Sequence, residues 1–572
     1  MKKLSKIVTF LVLVALASNM LVAAEGDTLV VPAEKEDGTP IVNALIKYVE
    51  ADTNLDGKQN HDVYRLKRGK YYRFNQMAVF NNPINIVAYE PGDTPETRPP
   101  KIMLTTNEEG GIPWDQHIME AHDNVTLKNI AFSTTTKDMG YNWANLVHLV
   151  SPDKKIVMEG CHVTLLGWGI LQAYVDGTNF QIDNCHIRNA TSTDSWCPFF
   201  FETDVANFDS LVCTNTTFFN MVGSVLNADA ESEVGYVEFD HNTFANIVRL
   251  FNGNTELTDA KITNNVFYNT NTASSREMDI TNDDNALHGG SIIDLDTIKA
   301  NEPGAPDSLV SYANEKNRKV AIKNNAYYWS EEVDNLFDDL NNLADEVDSL
   351  EKFHHPQWMS DRAAKMVDNN DTYSGIVAEN NINKDPEFTN FGGTDKMINF
   401  IKNEYTGGSL TIWGWDPDSA EYPDMHYANL QWPLPEDFSH NLDQKATDGY
   451  HLGSLEYYPD EMKEYYTGGS AVENNPANGS NSFELKNNYP NPFNPTTTID
   501  YSLKNNVNVE LSVYNVVGQK VKTLVNSTKT SGSHSVKWKG LNEAGQKVSS
   551  GIYFYRLKSG SNVEMKKMML LK

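Results

Sequence analysis

The chain has 572 residues, with 77 Asp and Glu residues against 47 Lys and Arg residues and a formal net charge of −30. That length exceeds one ordinary domain, and the acidic balance excludes a general nucleic-acid binder, because no basic stripe is present to neutralise phosphates. Hydrophobic residues make up 40% of the chain and aromatic residues 10%, which is enough for folded cores and excludes wholesale disorder.

Residues 1–24 have the pattern of an export signal. Lysines precede an apolar run over residues 7–16, and Val22-Ala23-Ala24 ends the segment with small residues suited to a signal peptidase. No later apolar stretch reaches the roughly 18 residues that a spanning helix needs. We therefore expect a signal peptide, no transmembrane segment, and a protein that passes through the periplasm and is secreted or held at the outer-membrane surface.

Two short patterns follow the signal. Residues 42–49 read as a short amphipathic helix that caps the structure behind it. Residues 52–62 look like a calcium loop, with oxygen side chains at the first, third and fifth places and Gly57 at the sixth. The closing acid, Asp62, comes one residue before the twelfth place, where the sequence has Val63, so we interpret this segment as a polar turn.

The middle of the chain repeats itself. Seven segments between residues 127 and 327 share one pattern, in which an apolar residue is followed two places later by a turn residue and three further on by a second apolar residue. The turn residues are Asn129, Gly160, Asn184, Asn215, His241, Asn264 and Asn324. All spacings but the last fit one solenoid turn per repeat, and the last must contain an insertion or an unmarked coil. Asn suits this place because it tolerates tight turns and its amide can bond to an Asn stacked above it.

This repeat resembles the right-handed parallel β-helix of the pectate-lyase-like superfamily. The resemblance is one of fold, and it implies an all-β solenoid over residues 25–460. Apolar residues at helical spacing over 333–350 predict an excursion packed on the coils. The segments 385–388 and 448–453 resemble the closing coil of secreted β-helix proteins.

A second set of predicted strands lies between these turn residues and can be aligned row by row. Six five-residue rows superpose without gaps, and they begin at Leu146, Ile170, Phe200, Val225, Leu250 and Ile292. Because side chains alternate along a strand, the apolar second and fourth columns point inward and the third and fifth columns point outward. The third column reads His148, Gln172, Glu202, Asn227, Asn252 and Asp294, and the fifth reads Val150, Tyr174, Asp204, Asp229, Asn254 and Asp296.

These outward columns predict a metal site. Adjacent coils lie about 4.8 Å apart, so oxygen-bearing side chains on neighbouring rows would form one patch. The predicted ligands are Glu202, Asp204, Asn227, Asp229, Asn252 and Asn254. The arrangement is similar to that of calcium-dependent lyases such as the chondroitinase-B and alginate-lyase group, which implies Ca²⁺ as a cofactor. The alternative is a solvated polar face without a metal.

Aromatic and polar residues beside the same strip predict sugar binding. Rings can stack on sugar faces while amides bond to hydroxyls. The candidate substrate-binding residues are Trp143, His148, Trp168, Gln172, Tyr174 and Trp196.

The base for a lyase reaction is the weakest part of this pattern, because the strip has no Lys and no outward Arg. The candidates are Arg249, which precedes its row, and Arg276 and His288. The last two fall in an insertion of about seventeen residues near 270–290, which we expect to overhang the strip.

Two pairs of residues recur at equivalent places on consecutive coils. His162 and His186 lie two residues after their turn residues, and we interpret them as a stacked surface pair rather than a metal site. Cys161 and Cys185 directly follow their turn residues, which predicts that they are neighbours whether or not they are bonded.

The C-terminal region differs in composition. A Gly/Ser/Asn-rich linker over 461–482 precedes three segments, 489–495, 511–518 and 551–557, which closely resemble the type A sorting domain of the type IX secretion system. Alternating apolar residues over 483–572 predict a small Ig-like β-sandwich. The resemblance implies the type IX secretion machinery as a partner, and an Ig-like binding module is the alternative.

Together these patterns favour a monomeric, secreted or cell-surface, carbohydrate-active β-helix. The first hypothesis is a calcium-assisted polysaccharide lyase acting on uronate-rich glycans. An inverting glycoside hydrolase, using two of Glu202, Asp204 and Asp229 as acid and base, is the second. A non-catalytic glycan-binding or structural surface solenoid is the third.

Overall fold

The computed structural model describes most of the chain in segments. These are residues 24–25, 28–89, 98–105, 117–133, 145–164, 169–190, 199–204, 206–228, 234–253, 257–272, 291–295, 315, 317–346, 352–369, 371–388, 392–409, 442, 445–467, 483–485, 488, 495–503, 507–515, 520–530, 532–543, 545–548, 551–559 and 562–570. The chain divides into two compact units, Met1–Glu461 and Met462–Lys572.

Three parallel sheets form the walls of the first unit, because successive coils add one strand to each wall. The twelve-stranded sheet contains Ala24–Glu25, Thr28–Val31, Val63–Leu66, Ile84–Ala88, Val125–Lys128, Lys155–Glu159, Thr178–Asp183, Phe208–Thr214, Val234–Asp240, Asp259–Thr263, Lys319–Lys323 and Ile376–Glu379. The ten-stranded sheet contains Tyr71–Phe74, Lys101–Leu104, Ala131–Ser133, His162–Thr164, His186–Ala190, Thr217–Met221, Thr243–Ile247, Val266–Thr270, Ala326–Tyr328 and Ile382–Asn383. The seven-stranded sheet contains Ala78–Phe80, His117–Ala121, Asn145–Leu149, Gly169–Ala173, Phe199–Asp204, Leu226–Ala228 and Phe251–Gly253.

This architecture confirms the predicted all-β fold, a right-handed parallel β-helix. The first described pair of strands, Ala24–Glu25 and Thr28–Val31, is antiparallel. Two further strands, Ser291–Ile293 and Gln357–Met359, pair with each other in a separate two-stranded sheet. One continuous apolar core fills the inside of the coils.

The predicted turn residues lie at the corner between the twelve-stranded and ten-stranded sheets. All seven have φ between 48° and 61°, the left-handed conformation that Asn and Gly adopt most readily. Asn380, with φ of 56°, is an eighth corner of the same kind that the sequence pattern missed. The long gap between Asn264 and Asn324 is an insertion, because the strands before these two corners pair directly.

The asparagine ladder runs one residue after the corners rather than through them. Asn242 Nδ2 donates to Asn265 Oδ1 (3.1 Å), Asn265 Nδ2 to Asn325 Oδ1 (3.0 Å), and Asn325 Nδ2 to Asn381 Oδ1 (2.9 Å). The corner side chain of Asn264 instead donates to Asp240 Oδ1 and Thr447 Oγ1. On this detail the sequence-based interpretation was wrong by one position.

The first unit also contains helices. They are Ala44–Asp52, Glu331–Glu346, Asp361–Asp368 and Thr394–Thr406, and a 3₁₀ turn, Leu455–Tyr457, precedes Pro459–Thr467 at the unit boundary. The first helix buries its apolar face in the main core, as the cap prediction requires. Glu331–Glu346 and Thr394–Thr406 share an apolar cluster with Val222 and Val248 of the coils, which confirms the predicted excursion.

Residues 445–458 return to the outer face of the ten-stranded sheet. Leu452 packs with Val266, and Tyr457 packs with Phe219. The Tyr457 hydroxyl donates to Thr217 Oγ1 at 2.7 Å. These contacts cover apolar side chains that project outward from the sheet.

A buried histidine ties residues 445–458 to the coils. The Nδ1 of His241 lies 3.1 Å from Asp240 Oδ2, and its Nε2 lies 3.5 Å from Asp448 Oδ1. Burial opposes the charged imidazolium, but the hydrogen bonds and negative charges of the two aspartates outweigh it and raise the pKa of His241 to about 9. His241 is therefore cationic at neutral pH.

The second unit contains two antiparallel sheets. One contains Phe483–Leu485, Thr497–Leu503 and Gly532–Trp538, and the other contains Val507–Asn515, Lys520–Lys529, Gly551–Ser559 and Asn562–Leu570. Their inner faces share a core that includes Ile499, Leu511, Trp538 and Tyr555. This is the predicted Ig-like sandwich.

Candidate functional site

The seven-stranded sheet has the predicted register over most of its length. In the inward column, Val147, Leu171 and Phe201 are fully buried. In the outward column, the Cα partners run without a break through Glu120, His148, Gln172, Glu202, Asn227 and Asn252. The strip of polar side chains expected from the row alignment therefore exists.

The gapless alignment fails at two places. A β-bulge between Glu202 and Asp204 pairs Asp204 with Ala228 rather than with the predicted Asp229. Asp294 lies outside the seven-stranded sheet, because its neighbouring strand Ser291–Ile293 pairs with Gln357–Met359. The Asp294 carboxylate is held by Arg362, with Nη2 2.6 Å from Oδ2.

A hydrogen-bonded amide row lies along this strip. Asn145 Nδ2 donates to His117 Nδ1 (3.2 Å) and to Gln172 Oε1 (2.8 Å). Gln172 Nε2 in turn donates to Glu202 Oε2 (2.8 Å) and to the Tyr174 hydroxyl. Asn145, Gln172 and Glu202 are only 1%, 3% and 7% exposed, so this amide row is buried rather than solvated.

Two closely spaced imidazoles, tilted by 38° to each other and here termed a histidine stack, complete the site. The rings of His117 and His148 lie 4.2 Å apart, and the ring of Tyr174 meets His148 edge-on at 5.9 Å. Burial, with the neighbouring His148, lowers the pKa of His117 to about 4, and burial also lowers the pKa of His148. Both rings are therefore neutral at neutral pH, while Tyr174 is 42% exposed. We call the six residues His117, Asn145, His148, Gln172, Tyr174 and Glu202 the imidazole–amide cluster.

The cluster contains buried polar atoms without a hydrogen-bond partner. In the described part of the chain, Asn145 Oδ1 and His148 Nδ1 are both buried and unbonded. An unsatisfied buried group costs about 1–3 kcal/mol, so a folded protein retains one where it serves a purpose. Asn145 Oδ1 also faces Gly169, where an added Cβ would lie only 2.5 Å from it. These features favour a ligand site over a merely solvated face.

His117 and Asn145 were missed by the sequence analysis. The row that starts at Ile118 matches the row at Leu146, but extending the alignment by that coil would have added Glu120 and His122, because His117 stands one place before its row. Asn145 stands one place before its row and pairs with His117 across the sheet. No column of the alignment pointed to that contact.

Arg249 is engaged elsewhere. Its Nη2 lies 2.9 Å from Glu404 Oε1 of the helix Thr394–Thr406, and both side chains are mostly buried. These contacts favour a structural role and give its predicted catalytic role no support.

Other predicted site residues fall outside the described part of the chain. They are Trp143, Trp168, Trp196, Asp229, Asn254, Arg276 and His288. Asp204 and Asn252 are placed by their backbone register alone.

The described portion of the predicted metal site supplies few donors. Glu202 and Asn227 are neighbours in register, and Glu202 already accepts a hydrogen bond from Gln172. Among the residues that the structure describes, no group of three or more His, Cys, Asp or Glu side chains is arranged to hold a metal ion. Calcium normally takes about six to eight oxygens, so any calcium site would need the remaining predicted ligands.

The segment 52–62 is a polar turn held by its own side chains. Asp52 Oδ1 lies 2.6 Å from His61 Nδ1, and Asp52 Oδ2 accepts from the Tyr64 hydroxyl at 2.8 Å. Asn54 Oδ1 accepts from the backbone amides of Asp56 and Lys58. Its oxygens are thus used to fold the turn, as the displaced closing acid suggests.

A second histidine stack lies on the ten-stranded sheet. His162 and His186 are paired in register, with ring centroids 4.5 Å apart, as predicted. Burial, together with His186, Arg188 and Arg68, holds the pKa of His162 well below its usual value.

The predicted cysteine neighbours are confirmed. The Cys161 amide lies 3.4 Å from Cys185 Sγ, and both thiols are free and buried. The coil register derived from the sequence is therefore correct at this corner.

Residues 487–571 match the family described as the secretion system C-terminal sorting domain. This match confirms the sorting domain predicted from the sequence, and it covers the β-sandwich unit. The chain is therefore sorted by the type IX secretion system to the cell surface or to the medium. In the part of the chain that the structure describes, no helix has the length and apolar character needed to cross a membrane.

Two solved structures from Porphyromonas gingivalis show limited similarity. Dimeric latent PorU is 20% identical, with a TM-score of 0.15, and the match covers 17% of this chain and 10% of that one. PorZ, a surface component of the type IX secretion system, is 20% identical, with a TM-score of 0.12 and coverage of 16% and 11%. The chain thus spans about a tenth of each protein. The sequence has no match among curated proteins.

Proposed function

We propose that this protein is exported through the periplasm by an N-terminal signal peptide over residues 1–24 and acts as a monomer that binds a polysaccharide. The binding surface is the outer face of the seven-stranded sheet, at the imidazole–amide cluster. The observation that carries this proposal is the exposed ring of Tyr174, set edge-on to His148 above a buried amide and carboxylate row. Aromatic faces pack on sugar rings, and fixed amides and carboxylates orient hydroxyls.

Strand spacing suits a chain of sugars. Neighbouring strands lie about 4.8 Å apart, which is close to the length of one sugar unit, so an extended glycan laid across the strands meets similar positions on successive coils. Val79, 45% exposed, is in register with Glu120, and His148 and Gln172 follow on the next two strands. The strip therefore offers apolar, imidazole and amide contacts in sequence.

The finer proposal is a polysaccharide lyase for uronate-rich glycans, with Ca²⁺ as a cofactor. Glu202 and Asn227, with Asp204, Asp229, Asn252 and Asn254, are the residues that would hold the ion. Calcium bound there would neutralise the carboxylate of a uronate unit. The support is the register that makes Glu202, Asn227 and Asn252 consecutive Cα partners.

Binding to a polysaccharide panel tests the proposal. The Tyr174→Ala protein should bind its glycan about tenfold more weakly, because an aromatic contact contributes roughly 1 kcal/mol beyond its buried area. Tyr236→Ala is the matched control, since Tyr236 lies on the twelve-stranded sheet and its hydroxyl is also hydrogen-bonded to a neighbouring side chain, in this case as donor to Glu238. Isothermal titration with and without a chelator of divalent cations measures both effects. Equal affinity in the two variants would place any binding elsewhere.

A further inference from the structure

We infer that His148 and Tyr174 are a proton-transfer pair for β-elimination of a uronate-containing polysaccharide, with His148 as the acceptor and Tyr174 as the donor. This inference rests on the proposed glycan site and names its reaction and substrate class. It also moves the catalytic base from the predicted Arg276, His288 and Arg249 onto the strip itself.

The two side chains share one ligand-facing surface. His148 is in the outward column of its strand, and Tyr174 directly follows the neighbouring strand Gly169–Ala173. Their rings meet edge-on at 5.9 Å. A sugar unit placed over this edge would have one of its faces within reach of both polar ends.

The amide row determines the direction of the hydrogen bond at the Tyr174 hydroxyl. Gln172 Nε2 donates to the Tyr174 oxygen, so the phenolic proton is directed away from Gln172. The Gln172 amide cannot turn over without loss, because Asn145 Nδ2 donates to its Oε1 and its Nε2 also donates to Glu202. Gln172 is thus a positioning residue that presents Tyr174 as a donor.

The surroundings keep His148 ready to accept a proton. Its Nδ1 is buried without a partner in the described part of the chain, which leaves Nε2 to meet a ligand. Burial holds its pKa below the usual value, whereas the nearby Glu120 acts in the opposite direction. The other titratable groups near it are His117, whose ring centroid lies 4.2 Å away, and His122, which is paired with Glu120 at 3.1 Å. A bound uronate carboxylate would raise the basicity of the imidazole toward neutrality.

His148 and Tyr174 together account for the proton transfers that the elimination needs. The C5 proton of the uronate passes to His148 Nε2, and the C5–H electron pair forms the C4=C5 double bond. The C4–O bond breaks, its electron pair stays on the glycosidic oxygen, and that oxygen takes the phenolic proton of Tyr174. Proton transfer through solvent from the imidazolium to the phenolate then restores the site.

The test uses the full chain, a panel of uronate-rich polysaccharides and near-ultraviolet absorbance of the unsaturated product. We expect His148→Gln and Tyr174→Phe each to lose about 100-fold or more in rate, while polymer affinity stays within about threefold. His162→Gln is the matched control, because it breaks the equivalent stack on the ten-stranded sheet, and it should retain full rate. The acidic limb of the rate–pH profile should belong to His148 and disappear in His148→Gln.

Each other outcome contradicts a defined step. A wild-type chain that binds polymer without forming product, or a His148→Gln chain that keeps its rate, would overturn the proton-transfer pair and leave the binding function intact. A chain that binds no polysaccharide would overturn the proposed function itself. Circular dichroism and melting temperature confirm folding, and Tyr174→Phe, which keeps the ring, provides a second test if His148→Gln is unstable.

Discussion

Two histidine stacks in this solenoid have similar ring separations but differ in strand register and in their neighbours. His117 and His148 lie 4.2 Å apart on the seven-stranded sheet, and His162 and His186 lie 4.5 Å apart on the ten-stranded sheet. His162 and His186 are Cα partners on consecutive coils, whereas His117 pairs with Asn145 and His148 pairs with Glu120, so the first ring contact is diagonal. Because a parallel register brings side chains of consecutive coils close together, a ring contact alone carries little functional information.

The neighbours separate the two stacks. The first stack adjoins acceptors and an exposed phenol, namely Gln172, Glu202 and Tyr174. The second adjoins the cations Arg188 and Arg68. Groups that orient sugars and move protons surround only the first stack, so the context of the pair, rather than the pair itself, marks the candidate site.

The largest predicted loss of stability concerns a third histidine, His241. We expect His241→Asn to lower the free energy of unfolding by about 3 kcal/mol, the low end for a broken buried ion pair, because it leaves the mostly buried Asp240 and the partly exposed Asp448 without their cation. Asn keeps the left-handed backbone conformation that this corner needs. Denaturant titration measures the loss, and limited proteolysis should show earlier cleavage within 445–458. Unchanged protection there would mean that the histidine does not hold this segment.

The contribution of His241 to the free energy of unfolding should depend on pH in the opposite direction from the contribution of the two stacks. Its folded pKa is raised to about 9, so its contribution is complete below the unfolded value near 6.5 and is lost as pH rises through 9. The His117 pKa is lowered to about 4, so its neutral form stabilises the fold above pH 6.5 and that contribution is lost as pH falls toward 4.

The second-largest predicted effect is a loss of stability in acid that is caused by both histidine stacks. We expect the free energy of unfolding to fall by roughly 1–3 kcal/mol through His117 between pH 6.5 and 4.5, and to fall through His162 as well; His117→Asn or His162→Asn should each flatten that slope. Added polysaccharide should restore stability in acid through the first stack alone. Equal protection of both stacks by the ligand would break the distinction between them.

The smallest predicted effect is that of Gly169→Ala. A methyl group there would lie 2.5 Å from Asn145 Oδ1 and should disturb the Asn145 bond to His117, with a loss of about 1 kcal/mol in stability and weaker glycan binding. Gly408→Ala is the control, since its added Cβ would also crowd an asparagine amide, that of Asn403, on a helix end. Melting temperature and titration calorimetry compare the two. A larger loss of glycan affinity in Gly408→Ala would contradict the placement of the site.

Much of this fold was predictable, because period and turn chemistry repeat with every coil. The corners, the inward columns and the register of His148 with Gln172 and Glu202 follow from strict alternation along strands. The bulge after Glu202 did not follow, because an extra residue in one strand leaves no mark on an apolar column.

The candidate site was predictable only in part. Its outward column could be aligned, but no residue pattern in the rows indicates that Gln172 and Glu202 are buried. The bond between Asn145 and His117 depends on two residues outside the aligned columns. Row alignment therefore finds where a strand's side chains point, and tertiary contacts decide which of them form a site.

The return of residues 445–458 to much earlier coils has a consequence for the order of folding. Ser454 Oγ donates to the carbonyl of Asn215, 239 positions earlier, and Tyr457 reaches Thr217 across 240 positions. Contacts so distant along the chain form late, because the loop between them must close first. The coils around Phe219 and Ala245 can assemble from local contacts, yet their outer apolar face stays uncovered until this segment docks. During synthesis and translocation, that uncovered face is the surface on which a chaperone would act and from which aggregation would begin.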